Sequence, residues 1–273
     1  MSISKRLRQY DIPQQIVLGI FAFLTLFPFF FMVMSSFKTN EQFFKQFWTP
    51  ALPLHPENYT RVFPRVAMFI GNSLLYSIPT LILVSILAML TGYGFARFRF
   101  RGRETLFLLM LSLMMLPAIL TLIPLFIQMR DWGWLNTPHG VILPWTSLQI
   151  VFATYIMRVF FEKLPKEVFE AARLDGANEW QLFMRIAVPL ALPGLGTIAV
   201  LDLLFTWNDV LWPLVALLDR DRFPIASGLL AFRGDFQTDY GPLFAGYTLA
   251  SLPLIIFFVF MIRRFISGLG GMV

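Results

Sequence analysis

One group of polar side chains stands inside an apolar stretch, at residues 190–217, with types and spacing suited to hydrogen bonding. Asp202, Thr206 and Asp209 recur at the helical spacing i, i+4, i+7, and Asn208 lies beside them. A charge at the centre of a bilayer costs about 2.5–3.5 kcal/mol on insertion scales, so in a membrane span Asp202 should face protein or a water-filled path. Two interpretations stay open. The groups line a path and hydrogen-bond a polar solute, or they hold neighbouring helices together.

A second polar group is the interval Glu162–Pro189, the longest strongly polar interval in the second half of the chain. Pro165 suits the first turn of a helix, and Gly176 suits the position just past a helix end. Asn178 and Gln181 have the spacing of a capping box, which indicates the start of a second helix. The sequence therefore predicts two short helices joined by a tight corner.

The first of these short helices has a face of small side chains. Val168, Ala171, Ala172 and Asp175 fall within one arc, at i, i+3, i+4 and i+7 spacing. Because the two alanines place almost no side chain there, another surface can come close. We interpret this helix as a plug for a socket on a partner protein. The alternative is an ordinary amphipathic helix that lies on lipid headgroups.

The sequence carries no set of residues for covalent catalysis. It has no cysteine, and its two histidines, His55 and His139, share no metal-ligand spacing. No nucleotide-binding G-x-x-x-x-G-K-[ST] motif and no H-E-x-x-H motif is present. We therefore predict no metal site, no bound cofactor and no enzymatic activity for this chain. The glycines of Gly92-x-Gly94 and Gly194-x-Gly196 are interpreted as points of close helix packing or flexible ends.

The composition is that of an integral membrane protein. The 273 residues are 57% hydrophobic and only 14% charged, and 31 of them are Phe. The mean hydropathy is +0.68. A soluble domain of this length would need far more charge on its surface. The apolar runs are continuous rather than alternating, so the sequence predicts an all-α polytopic fold and not a barrel.

Six apolar stretches are each long enough to cross about 30 Å of hydrocarbon. The predicted spans lie at about 16–37, 69–95, 105–129, 141–161, 190–217 and 243–262. The first span is separated by an external loop, 38–68, from a core of five spans, 69–264, and the ends are segments 1–15 and 265–273. Pro117 and Pro124 predict that the third span is irregular, since proline breaks the helical hydrogen-bond ladder.

Basic residues decide the topology. The net charge of +6 is accounted for by the positive-inside rule before any nucleic-acid partner is needed. Six spans put both ends on one side, and that side collects the main basic clusters: Lys5, Arg6 and Arg8, then Arg97, Arg99, Arg101 and Arg103, then Arg263 and Arg264. Both termini and the 162–189 loop are therefore predicted to be cytoplasmic.

The 162–189 loop also matches a more specific spacing, EAA-x3-G-x9-I-x-L-P. The matching residues are Glu170, Ala171, Ala172, Gly176, Ile186, Val188 and Pro189, with Val188 where Leu is usual. This pattern resembles the cytoplasmic signature loop of bacterial ABC importer permeases, and the surrounding letters resemble their carbohydrate-uptake branch. Other similar stretches extend over nearly the whole chain; they include ARFRFRGR, LNTPHGVILP, FTWNDVLWPL and LPLIIFFVFMIRRFISGL.

The resemblance implies a type I ABC importer permease fold in the bacterial inner membrane. It implies that Glu170, Ala171, Ala172, Asp175 and Gly176 couple the spans to an ATPase. The implied partners are a second homologous permease, two ABC ATPase subunits that carry ATP and Mg, an external solute-binding protein and membrane lipid. The implied substrate is a sugar or related polyol, moved by alternating access. If Asp202 lines the path it would meet sugar hydroxyls, but the family more often has an uncharged residue there, so no family role transfers to it. Asn208 and Asp209 suit a gate or a contact with the binding protein as well as a contact with the substrate.

Two alternatives remain beside this interpretation. One is the same fold carrying another solute, such as glycerol phosphate. The other is a secondary transporter or channel that uses an ion gradient, and the source of energy distinguishes it from an ABC importer.

Overall fold

The chain is almost entirely helical in the parts that the computed structural model describes, residues 12–235 and 239–270. Side chains of residues 12–13, 232–235 and 261–270 lie outside that description. The helices are α1 (Ile12–Ser36), α2 (Asn40–Lys45), α3 (Glu57–Arg97), α4 (Arg103–Ser112), α5 (Ala118–Asp131), α6 (His139–Lys163), α7 (Lys166–Leu174), α8 (Glu179–Leu182), α9 (Val188–Leu190), α10 (Leu192–Asn208), α11 (Leu211–Ala216), α12 (Ile225–Asp235) and α13 (Tyr240–Gly270).

Four helices are long and apolar enough to cross a membrane by themselves: α1, α3, α6 and α13. Two further spans result if each of two bent helix pairs counts as one. The α4–α5 pair bends by 95°, and the pair from Glu179–Leu190 to Leu192–Asn208 bends by 67°. Length and composition thus allow up to six spans, as the sequence predicts.

The bend in the third span has a local cause at Leu116 and Pro117. Proline has no N–H to donate and forces the residue before it towards extended backbone, and Leu116 has ψ 120°. A short 3₁₀ turn, Leu113–Met115, ends α4, and α5 starts directly after Pro117. The predicted irregularity of this span is confirmed.

Several helices extend beyond the predicted spans. Helix α3 has 41 residues and begins at Glu57, well inside the segment assigned to an external loop. Helix α13 continues to Gly270, past the predicted end of the sixth span. Residues 1–11 and 271–273, which belong to the predicted terminal segments, lie outside the described residues.

The chain divides into two compact units. The first comprises residues 1–66 and 231–252, and the second comprises 67–230 and 253–273. In the second unit a core of buried side chains lies between α3, α6 and the segment that follows α6. Tyr93, Met157 and Phe161 belong to this core.

Glycine allows α3 and α6 to approach closely. A Cβ atom at Gly92 would lie 2.6 Å from the Cβ of Met157 and 2.9 Å from the backbone N of Arg158. Gly194 likewise lies against the Phe160 ring, 2.9 Å from the position of a Cβ. Close packing is confirmed for these two glycines. Gly94 has no atom within 4 Å of such a Cβ, so the interpretation does not extend to it.

Candidate functional site

The 162–189 loop folds into two short helices, as predicted. Pro165 stands directly before α7, and Asp175 ends it. Gly176 then adopts φ +86°, the left-handed conformation that a side chain disfavours. Its N–H donates to the Arg173 carbonyl at 3.0 Å, and Ala177 N–H donates to the Ala172 carbonyl at 3.0 Å. These bonds close the C-terminal turn of α7 and set the corner.

The capping box at the start of α8 is present with both of its bonds. The Asn178 side chain accepts from the Gln181 N–H at 2.9 Å, and the Gln181 side chain accepts from the Asn178 N–H at 2.9 Å. A π-helical turn, Phe183–Ala187, follows and leads through α9 into the bend before α10. The loop is therefore a continuous, locally satisfied unit that enters α10 directly.

The inner side of the 162–189 loop belongs to the protein core. Phe169 is 2% exposed and Leu182 is completely buried. The Tyr93 ring of α3 packs against Phe161 and Phe183, with ring centroids 5.5 and 5.0 Å away. Because residues on both short helices insert into this core, the loop is anchored to α3 and α6 rather than tethered by its ends alone.

An arginine strengthens that anchor. The Arg97 guanidinium, at the last residue of α3, lies 3.9 Å above the centroid of the Phe169 ring. Its Nη2 donates to the Leu164 carbonyl at 3.1 Å. A cation over an aromatic face is worth about 0.5–2 kcal/mol, depending on its exposure to water. One side chain thus ties the end of α3 to the underside of α7.

A second arginine joins two helices, α4 and α6, near the same end of α6. Arg158 donates from Nε to Glu162 at 2.7 Å and from Nη2 to both oxygens of Glu104, at 2.8 and 2.9 Å. The guanidinium also lies 4.0 Å from the Phe107 ring centroid. Hydrogen bonds from Arg158, and then from Arg103, lower the pKa of Glu104 below its ordinary value. The start of α4 is thereby fastened to the end of α6.

The outer side of the 162–189 loop is open. Glu170, Ala171, Asp175 and Gly176 are exposed, whereas Ala172 is half-buried against the core. The structure therefore divides the small-residue arc that the sequence predicts, because Ala172 stands three residues after Phe169 and shares its inward side. The predicted coupling residues share one short segment, but they do not share one face.

Two apolar side chains on this outer side were not singled out by the sequence. Leu174 is 90% exposed and Trp180 is 62% exposed. Arg173 and Glu179 form an ion pair at 2.8 Å on the same surface. The available signal in the sequence was an apolar leucine inside a polar interval. Because exposure of a large apolar side chain to water is unfavourable, such a residue often marks a contact surface. The surface has the apolar centre and charged surroundings that are typical of a protein contact.

The polar groups of α10 are mostly turned inward. Asp202 is 1% exposed, and neither of its carboxylate oxygens has a hydrogen-bond partner among the described residues. It lines a cavity of about 10 Å³ between α3, α6 and α10, with Gln149 also on the wall. A cavity of that size holds about one water. Thr206 is also fully buried and donates to the Asp202 backbone carbonyl at 3.0 Å.

Asp209 is occupied by contacts within the protein. Its Oδ2 accepts from the indole Nε1 of Trp145 at 2.6 Å, and its Oδ1 accepts from the Leu211 N–H at 3.1 Å. Trp145 is completely buried. Asn208 is exposed and donates to the Leu204 carbonyl at 2.7 Å. The structure therefore does not bring the four predicted polar residues to one open surface.

A clasp around Asn136 fastens the segment that follows α11. Asn136 donates its N–H to the Ala216 carbonyl at 2.7 Å, and its side-chain oxygen accepts from the N–H groups of Leu218 and Asp219, both at 3.2 Å. Arg222 donates to the Asn136 carbonyl at 2.6 Å. The residue has φ +57°, which asparagine tolerates better than most side chains. The position of Asn136 in the turn sequence LNTPHG was the feature of the sequence that could have indicated this role.

Nothing in the described part of the chain forms a cluster of three or more His, Asp or Glu side chains that could hold a metal ion. The outer side of the 162–189 loop presents a helical corner and exposed apolar side chains. Such a surface suits recognition of another protein.

Comparison with known proteins places these features in a wider group. Residues 85–270 match the family described as "Binding-protein-dependent transport system inner membrane component". The chain is 32% identical to a lactose transport system permease protein of Rhizobium radiobacter, with 100% of both chains covered. It is 33% identical to an arabinooligosaccharides transport system permease protein of Halalkalibacterium halodurans, over 91% of this chain and 90% of that protein.

A solved structure is similar as well. It is a crystal structure of a bacterial ABC transporter involved in the import of the acidic polysaccharide alginate. One of its chains superposes with a TM-score of 0.78 at 26% identity, covering 97% of this chain and 98% of that chain. The likeness therefore includes the helices at both ends as well as the centre.

Proposed function

Since the chain belongs to the family of binding-protein-dependent transport system inner membrane components, we propose that it is the membrane-spanning permease subunit of an ATP-driven sugar importer. The substrate class is a mono- or oligosaccharide or a related polyol. Relatives whose names specify lactose and arabinooligosaccharides support this class, and so does the similar chain of an alginate importer. Transport would proceed by alternating access.

The observation that carries the proposal is the docked corner of the 162–189 loop. Its underside is fixed in the core by Phe169 and Leu182, while Glu170, Leu174 and Gly176 face outward. A push on the outer surface would pass into α3 and α6 through Arg97 and the buried rings, and into α10 through the π-helical turn. That arrangement suits a subunit that is driven from outside itself.

The driving partner would be a pair of ABC ATPase subunits, which bind ATP and Mg. This chain contributes no chemical step. Glu170 offers a carboxylate to basic or backbone donors on the ATPase, and Ala171 permits close approach. Gly176 holds the corner in a conformation that a Cβ would strain. Exposed Leu174 and Trp180 supply apolar contact area.

Membership of the family supports the rest of the proposed assembly. A second, homologous permease would complete the translocation path, and a solute-binding protein would deliver the sugar on the external side. We infer that both termini and the 162–189 loop lie on the cytoplasmic side of a bacterial inner membrane, because the basic clusters collect on that side. Solute contact by Asp202, Thr206, Asn208 and Asp209 stays a prediction.

The test is ATP-dependent uptake by the full transporter in proteoliposomes. Gly176→Asp and Glu170→Lys are expected to leave the permease in the membrane while sugar uptake falls and ATP hydrolysis continues. The first change strains a left-handed turn, and the second reverses a charge at the contact. Glu167→Lys, on an exposed residue of the same helix, serves as the control.

Wild-type uptake by both test variants would contradict the coupling role. Uptake that runs on a proton or sodium gradient without ATP would contradict the importer class altogether. If uptake depends on ATP but the purified neighbouring binding protein retains a solute other than a sugar, only the substrate class is wrong.

A further inference from the structure

The segment that follows α1 is built to stay folded against it. Thr39 caps α2 with a complete capping box, in which Gln42 N–H donates to the Thr39 side chain at 3.2 Å. Gln42 also donates from its side chain to the Pro53 carbonyl at 3.0 Å. Residues 39–54 therefore form an ordered unit with a fixed position beside the end of α1.

This segment doubles back along the first span. The Trp48 ring stacks on Phe27, with centroids 6.1 Å apart, and also lies 5.5 Å from the Phe31 ring. Phe27 stands nine residues before Ser36, the end of α1. At 1.5 Å per residue, Trp48 reaches back about 13 Å along the helix axis. The segment thus overlaps the lipid-crossing part of the chain.

The span that Trp48 packs on is itself exposed over its most apolar stretch, although its last residues, Met34, Ser35 and Ser36, are buried. None of the most apolar window of α1 is buried within the protein. Phe23 and Phe30 are 66% and 57% exposed. A side chain that lies beside them at the same depth meets the same surroundings as they do, which for a membrane span are lipid or another span.

The surface of the segment is apolar where it is exposed. Phe44 is 68% exposed, Trp48 67%, Leu52 81% and Leu54 54%. Phe43, by contrast, is 5% exposed and packs under the segment at 4.4 Å from the Tyr240 ring. The segment therefore has its own buried anchor, and its outward apolar side chains are additional to it.

A buried lysine hydrogen-bonds the backbone carbonyls that this segment would otherwise leave without a donor. Lys38 is 1% exposed, and its Nζ donates to the carbonyls of Gln46 at 2.6 Å and Phe47 at 3.1 Å. Carbonyls left without a donor in an apolar medium cost several kcal/mol each. The lysine removes that cost at the end of α2, next to Trp48.

We propose that residues 39–54 form an interfacial anchor, which inserts its exposed apolar side chains into the lipid leaflet at the C-terminal end of α1. Phe44, Trp48, Leu52 and Leu54 enter the boundary between headgroups and acyl chains, where tryptophan is favoured. The exposed Glu41–Lys45 ion pair stays at headgroup level. The surface is continuous with the exposed apolar side of α1, and tryptophan is enriched at membrane–water interfaces, which together favour lipid over a docked protein.

The absence of cysteine from the chain makes the test direct. Single cysteines replace Phe44, Leu52 or, as control, Glu41, and each carries a nitroxide label in the complete transporter reconstituted in vesicles of phosphatidylethanolamine and phosphatidylglycerol. Collision with oxygen reports lipid, and collision with a water-soluble nickel chelate reports water. Labels at 44 and 52 are expected to favour oxygen several-fold over the label at 41.

Two outcomes would overturn the proposal. In the first, labels at 44 and 52 collide with the nickel chelate as freely as the label at 41. In the second, they are open to water and become protected when the solute-binding protein is added, which would identify a protein-docking surface. Variants are compared only if their thermal unfolding matches the unlabelled protein. The measurement needs no transport, so it is independent of the proposed sugar import.

Discussion

Side chains at both ends of α6 fasten neighbouring segments to it, but they leave the polar motifs of those segments in different positions. One motif faces outward and the other is partly bonded inside the protein. At the C-terminal end, Arg97 and Arg158 fasten the 162–189 loop and α4 from within, and the loop motif stays outside with Leu174 90% exposed. Near the N-terminal end, Trp145 donates to Asp209, so the aspartate of the fifth-span motif is bonded within the protein while Asn208 stays exposed.

The difference shows that a short motif does not reveal which way its side chains face. Both motifs are polar interruptions of apolar sequence. Glu170 stays exposed because Phe169 turns the other side of α7 into the core, and Gly176 is exposed at the corner that follows α7. Asp209 satisfies the indole of a fully buried tryptophan, so its polarity serves the fold. The following substitutions separate an outward motif from an inward one.

Asp209→Ala should have the largest effect on stability. It leaves the buried Trp145 N–H without an acceptor, a loss of about 1–3 kcal/mol. Thermal unfolding followed by intrinsic fluorescence measures it. Trp145→Phe with Asp209→Ala should lose less than the two single changes added together, because both partners are then gone. If the losses in unfolding free energy are strictly additive, the hydrogen bond between Trp145 and Asp209 contributes nothing to stability. That result would contradict the interpretation of Asp209 as a residue that serves the fold.

Leu174→Asp should leave stability within about 0.5 kcal/mol, since the side chain lies in water. Association with the ATPase subunits should weaken about tenfold, or 1.4 kcal/mol, because an apolar contact is replaced by a charge. Leu218→Asp is the matched control: Leu218 is also exposed, at 73%, but lies in the Asn136 clasp. Equal weakening by both variants would contradict the assignment of the contact to the 162–189 loop.

Glu104→Gln should have a smaller effect that depends on pH. Arg158 and Arg103 lower the pKa of Glu104 in the folded chain, so its contribution to stability is fully present above the unfolded pKa, about 4.3. It is lost as pH falls through the folded value. The melting temperatures of wild type and variant should therefore differ at pH 7 and converge in acid. A difference that stays constant down to pH 3 would exclude the ion pair as its source.

Asp202→Asn should have the smallest effect on transport. The cavity that this chain forms beside Asp202 is about 10 Å³, whereas ligand pockets are typically about 300–1,000 Å³, which favours the packing interpretation of Asp202 over contact with the sugar. The amide keeps the shape and removes the need to bury a carboxyl group. Uptake at matched protein levels should keep its rate and its half-saturating sugar concentration. A clear loss of sugar affinity would restore Asp202 to the translocation path.

The sequence predicted the features that depend on local chemistry. The capping box at Asn178, the corner at Gly176 and the bend at Pro117 follow from backbone preferences that act over a few residues. The early start of α3 at Glu57 was missed, because hydropathy marks the lipid-crossing part of a helix and not its polar extension. The bonds from Arg158 to Glu104 and from Trp145 to Asp209 join residues 54 and 64 positions apart. No local pattern encodes such pairs.

The close approach at Gly92 bears on which substitutions the membrane helices tolerate over generations. An exposed position such as Ile82, at 52%, can exchange among aliphatic residues with little penalty. At Gly92 even one methyl group would fall 2.6 Å from Met157 and push apart the two helices that hold the 162–189 loop. A saturation library selected for growth on the imported sugar should therefore accept many residues at 82 and only glycine at 92.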